Sequence, residues 1–64
     1  MKNRVREFRL EAGLSVVELA QKANTTRQTI HSIENQEEIK KVSGAIMFAI
    51  ADALNRNVRE VFLS

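Results

Sequence analysis

The sequence contains no cysteine, no proline, no tryptophan and no tyrosine, and only two glycines. Without cysteine there is neither a disulfide nor a thiolate metal site, which points to a reducing, cytoplasmic compartment. A lone histidine, His31, is a poor basis for a metal site, so no metal or cofactor is expected. Without proline, nothing in the chain forces a break or kink in a helix. Without tryptophan or tyrosine it lacks the stacking surfaces on which single-strand binders hold bases. No apolar run is long enough to span a bilayer, and the N-terminus has no signal-peptide pattern. Charge of one sign is scarce as well: the formal net charge is +2, too small for bulk charge to argue for nucleic acid. Paired catalytic carboxylates, a nucleophile beside a base and a phosphate-cradling loop are all missing, so the chain does not read as an enzyme.

What is present is helical periodicity. Sixty-four residues make one domain, 1–64, close to the lower limit for folding without a covalent or metal staple. A first helix is predicted from about Asn3 to Ala12, with Val5, Phe8 and Ala12 on one stripe and Gly13 as its stop. Ser15 with Glu18 has the spacing of a capping box and opens a second helix. A third helix follows Thr26 and ends near Asn35. Residues 36–42 form a charged connection. Ser43 caps a fourth helix, with Met47, Ile50, Ala51 and Leu54 in helical register, stopped by Asn55. Asn57 with Glu60 starts a short fifth helix carrying Val58, Val61 and Phe62, unless the last residues form a short strand at a dimer seam. The expected fold class is all-α, a compact five-helix bundle. Its core is predicted to contain Val5, Phe8, Leu14, Leu19, Ala20, Ala23, Ile30, Ile33, Ile50, Ala51 and Leu54.

The stretch Val16–Asn35 carries the functional signal. Leu19 and Ala23 recur one helical turn apart with Ala20 beside them. The two alanines are small enough for another helix to approach closely. Asn24 tolerates the left-handed conformation that ends a helix and reverses the chain. Thr26 is an N-cap for the next helix, in which Ile30 and Ile33 point inward. Arg27, Gln28, His31, Ser32 and Asn35 are left for the other faces. Two short helices joined by a tight turn, the second bearing amide and guanidinium groups outward, meet the requirements of a unit that reads a DNA groove. The charge distribution agrees. Residues 1–31 hold six basic side chains against three acidic ones, and residues 32–64 hold four against five.

On Leu19, Ala20, Asn24, Ile30 and Ile33 this segment resembles the helix-turn-helix of the Cro/cI class, the XRE family of small prokaryotic and phage regulators. Only Asn24 departs, standing where the family carries Gly. The flanks VREFRLEAGLS and AIADALNRNVREVF extend the likeness from about Asn3 to Phe62. The resemblance implies a lambda-repressor-like bundle with the helix-turn-helix at helices 2 and 3. It also implies a nucleoid-associated transcriptional regulator, most naturally a repressor, bound as a homodimer to palindromic double-stranded DNA. Gln28 is then the leading base reader, since a carboxamide matches the N6/N7 edge of adenine. Arg27 and Ser32 join it at base edges, with Thr26, Thr29, His31 and Asn35 toward phosphates. Lys2, Arg4 and Arg6 add long-range attraction or merely solvate helix 1. Arg9 and Glu34 are implied to form a structural ion pair beneath the reading helix. Val58, Val61, Phe62 and Leu63 are the expected dimer seam.

The chain departs from the family in three places. Val16 and Val17 replace a Gln and a Glu, and the lost Gln would have held a phosphate. Gln36 replaces a Gly, and the loop after it is longer and carries Glu37 and Glu38, whose charge opposes DNA. Gly44 replaces a Leu, in a helix apolar on more than one face, so that Ala45, Phe48 and Ala49 either extend the core or meet a partner. These departures define an alternative: a helix-turn-helix scaffold that contacts a protein partner, in the manner of an antitoxin or anti-repressor. A non-specific nucleic-acid binder is a weaker rival, given the low net charge.

Overall fold

The computed structural model describes residues 2–36 and 42–62. Five helices follow in order: α1 (Val5–Glu11), α2 (Val16–Lys22), α3 (Arg27–Glu34), α4 (Gly44–Ala53) and α5 (Val58–Phe62). There is no strand among the described residues, and Val61 and Phe62 are helical rather than extended. The connection over residues 37–41, with Glu37 and Glu38, lies outside the described residues, as does Leu63.

Short polar side chains set the helix starts. Ser15 Oγ accepts from the Glu18 amide at 3.0 Å, and Glu18 Oε1 accepts from the Ser15 amide at 2.8 Å, closing the capping box. The Ser43 hydroxyl accepts from the Ile46 amide at 3.2 Å. At α5, Asn57 Oδ1 accepts from the Arg59 amide at 2.8 Å, while Glu60 Oε1 accepts from the Asn57 amide at 3.1 Å. Helix α1 begins two residues later than its periodicity suggested, at Val5. Asn3 is held out of the helix because its carboxamide accepts from the Val5 amide at 3.1 Å and donates to the Ile33 carbonyl at 2.8 Å.

The helix ends repeat one device. Gly13, Asn24 and Asn55 adopt φ of 71°, 56° and 57°. After each, the next amide reaches back to the last full turn: Leu14 to the Arg9 carbonyl, Thr25 to Ala20 and Arg56 to Ala51, at 3.1, 2.9 and 2.9 Å. These are Schellman closures, which satisfy carbonyls that a helix end leaves open. Gln36 stops α3 in the same left-handed conformation, at φ 61°.

The five helices close on one core of Val5, Phe8, Leu19, Ala20, Ala23, Ile30, Ile33, Ile50, Ala51, Leu54, Val61 and Phe62. Leu14 packs against its edge rather than within it. Two residues correct the sequence reading. Val61 and Phe62, expected at a dimer seam, are 0% and 6% exposed. The last turn of α5 folds back over α1, where the Arg4 amide donates to the Val61 carbonyl at 2.8 Å. These side chains therefore have no surface left for a second molecule. Phe8 is covered by cations: the guanidinium carbons of Arg4 and Arg56 lie 4.6 and 4.3 Å from its ring centroid. Arg56 also meets Glu11 at 3.0 Å and Glu60 at 3.4 Å, tying α1 to α5.

Candidate nucleic-acid interface

The Asn24 turn brings α2 and α3 together, with Leu19, Ala20 and Ala23 packed beneath Ile30 and Ile33. Burying the two isoleucines fixes which side of α3 faces out. Arg27, Gln28, His31 and Asn35 are exposed, and Thr29 and Ser32 are half-buried at the flanks. Gln28 and Ser32 are one turn apart, on the side opposite Ile30 and Ile33. Asn35 is the C-cap residue, and its amide bonds to the His31 and Ile33 carbonyls.

The start of α3 is electropositive. Thr26 Oγ1 accepts from the Thr29 amide at 3.1 Å, while the Thr26 and Thr29 hydroxyls share a hydrogen bond at 2.9 Å. No acidic side chain lies in the first turn. Arg27 forms no ion pair among the described residues. A cation at a helix N-terminus opposes the macrodipole, so an unpaired Arg27 there concentrates positive potential where an anion would approach. Arg4 contributes less to that potential than its charge suggests, because it is engaged by Glu7 and by the Phe8 ring.

Beneath the outer face, Glu34 is held by α1. Arg9 Nε and Nη2 donate to its two carboxylate oxygens at 2.7 and 3.1 Å, and Arg6 Nε adds a third bond at 3.3 Å. Arg9 Nη1 also reaches the Leu14 carbonyl at 2.9 Å. The Glu34 side chain is 1% exposed and that of Arg9 11%, and no buried side-chain polar atom is left without a partner among the described residues. The hydrogen bond to Glu34 raises the Arg9 pKa above its ordinary value, against the opposing effect of burial. A bidentate pair of this kind sets the rotation of α3 about its axis, and hence which side chains it presents.

One part of the site has no local signal in the sequence. The Gln36 carboxamide pairs with the backbone of Asn3: its Oε1 accepts from the Asn3 amide at 3.0 Å, and its Nε2 donates to the Asn3 carbonyl at 3.2 Å. The side chain thus mimics a strand partner and latches the N-terminal segment to the exit of α3. Two residues thirty-three positions apart give no periodic pattern that would pair them.

A family model described as helix-turn-helix, of the Cro/cI-type XRE class, matches residues 5–61. The chain belongs to this family. It is therefore a DNA-binding helix-turn-helix regulator. No curated protein matches the chain. Two family features can be placed on the geometry. Asn24 adopts the left-handed backbone that the family's Gly would supply. Val16, standing where the family's Gln would hold a phosphate, packs against the edge of the core instead, while Val17 beside it is 45% exposed. No helix among the described residues is long and apolar enough to cross a membrane.

Proposed function

We propose that the chain is a sequence-specific transcriptional repressor that binds a palindromic operator as a homodimer, with α3 in the major groove. The observation that carries this reading is the exposure of Gln28 on the outer face of a helix whose opposite face is locked by Ile30, Ile33 and Glu34. A carboxamide in the first turn of such a helix can donate and accept in one plane against adenine. Arg27 and Ser32 read neighbouring base edges, while Thr26, Thr29, His31 and Asn35 approach phosphates and set register. One such unit reaches only a few base pairs, so useful specificity requires two, related by a two-fold axis that the operator mirrors.

The test is selection from a random-sequence duplex pool at near-physiological salt. Enrichment of a palindromic consensus, with half-sites about one helical turn apart, supports the repressor reading. Failure to enrich any sequence, from a folded protein, overturns it. The exposed Val17 then favours the alternative, a scaffold that works through a protein partner.

A further inference from the structure

One buried carboxylate on α3 receives two guanidinium groups from α1, and the charges do not cancel. Arg9 already meets both oxygens of Glu34, at 2.7 and 3.1 Å. That bidentate pair neutralises the carboxylate by itself. Arg6 adds one longer bond, from Nε at 3.3 Å, and its side chain stays 60% exposed. The cluster therefore carries a surplus positive charge, and the surplus lies on Arg6 at the surface. We propose that Arg6 is a phosphate-binding residue, a guanidinium anchored on Glu34 through Nε and offered to the DNA backbone through its Nη groups. The proposal rests on the reading of α3 as the groove helix and adds a contact from α1 to it.

The neighbouring arginines are committed elsewhere. Arg4 and Arg56 are each ion-paired and stacked over the Phe8 ring. Arg9 uses Nε and both Nη groups on Glu34 and the Leu14 carbonyl. Arg6 uses Nε alone, with no other hydrogen bond or ion pair among the described residues. Its two Nη groups, side by side in one plane, match two oxygens of a phosphate. The bond to Glu34 also orders a long side chain before the anion arrives, which lowers the entropic cost of the contact.

Its position suits that role. Glu34 is the last residue of α3 and is followed by the exposed Asn35, so Arg6 stands beside the end of α3 while Arg27 stands at its start. The eight residues of α3 extend about 12 Å, comparable to the major-groove width of about 12 Å, and phosphates flank a helix lodged there. The Asn3–Gln36 bonds hold the segment leading into α1 against that same end. Arg6 is thus tied to α3 from both sides, and a phosphate bound to it fixes α3 relative to the backbone. Such a contact sets affinity and register, and carries no base preference.

Anisotropy titrations of a short random-sequence duplex over about 50–200 mM salt test this, comparing wild type with Arg6→Gln, Arg6→Lys and Arg59→Gln. Arg59 is exposed on α5 and forms no ion pair among the described residues; its removal subtracts the same charge from a helix packed on α1 and α4. Arg9 still holds Glu34 in Arg6→Gln, so the fold persists, which the thermal midpoint verifies. Arg6→Gln is expected to weaken binding roughly five- to tenfold at the low-salt end and to flatten the slope of log affinity against log salt by about 0.9, the value for one phosphate contact. Arg6→Lys keeps the slope and loses a few-fold in affinity, because a point charge replaces the fork. Arg59→Gln changes neither appreciably. An Arg6→Gln slope equal to that of wild type or of Arg59→Gln overturns the proposal, as does a wild type that binds no duplex at the low-salt end. Base reading fails separately: a wild type that binds every duplex alike contradicts it and still reports on Arg6.

Discussion

The Arg9 guanidinium on α1 meets both carboxylate oxygens of Glu34 on α3, at 2.7 and 3.1 Å. Helix α3 therefore carries a nearly inaccessible negative charge that only α1 neutralises. Removing one partner is costlier than removing both. Arg9→Ala leaves Glu34 with Arg6 alone, whose side chain is 60% exposed, and should destabilise the fold by about 3–5 kcal/mol. Arg9→Met with Glu34→Leu should cost much less, because no buried charge remains. Urea denaturation of the two single variants and the double variant measures the difference. Additive losses would mean that the pair is not coupled.

The Gln36 latch separates helix stopping from helix positioning. Gln36→Gly relieves a non-glycine residue at φ 61°, which should leave thermal stability equal or higher. It also removes the two bonds from the Gln36 side chain to the Asn3 backbone, leaving the Asn3 side chain on the Ile33 carbonyl. Gln36→Asn keeps the amide and tolerates the same backbone, but it is one methylene too short to reach the Asn3 backbone. Both variants should remain folded while losing discrimination between specific and random duplexes, on the order of a few-fold. If Gln36→Asn discriminates as the wild type does, the latch does not position α3.

Stability should fall with acid through two carboxylates. The hydrogen bond from Arg4 holds the Glu7 pKa below its ordinary 4.5. The Ser15 backbone and hydroxyl do the same for Glu18. A depressed folded-state pKa adds stability that is present above 4.5 and is lost as pH falls through the folded-state value. Both groups lie at the surface, so the effect is modest and screened by salt. Thermal midpoints should decline below pH 4.5, and the decline should be shallower in Glu18→Gln, whose amide oxygen still accepts from Ser15 without titrating. An identical slope in the variant would remove Glu18 as a source.

The left-handed stops give a simple backbone test. Gly13 has φ 71°, and a Cβ added there meets nothing within 4 Å. Gly13→Ala therefore isolates conformational strain, expected at about 1 kcal/mol. Asn24→Gly at φ 56° should be neutral or slightly stabilising. A Gly13→Ala variant as stable as wild type would mean that the loop relaxes out of the Schellman geometry.

Local chemistry made most of this fold legible. Ser15, Thr26 and Ser43 mark helix starts because a short hydroxyl before an apolar period has few other uses, and Gly13, Asn24 and Asn55 mark the ends for the converse reason. Core positions within α1 to α4 follow from periodicity. Val61 and Phe62 were misassigned because a five-residue helix has too little period to show which side faces inward. The packing of α5 on α1 decides that, and it is not a local property. Arg4 likewise reads as a free cation until Phe8 and Glu7 are placed around it. The outward set on α3 was accessible from sequence because Ile30 and Ile33 fix the opposite face. The Asn3–Gln36 pair was not, since it joins the N-terminal segment to a mid-chain residue thirty-three positions away that only the finished bundle brings beside it.

The central claim is that Gln28 reads a base. Its most direct test compares wild type and Gln28→Ala on the selected duplex and on that duplex with one adenine step replaced in each half-site. Wild type should lose about 1–3 kcal/mol of affinity per replaced step, while Gln28→Ala should bind both duplexes alike at equal salt. A variant that keeps the full adenine preference would contradict the claim, and would place base reading on some other residue of α3 or outside it.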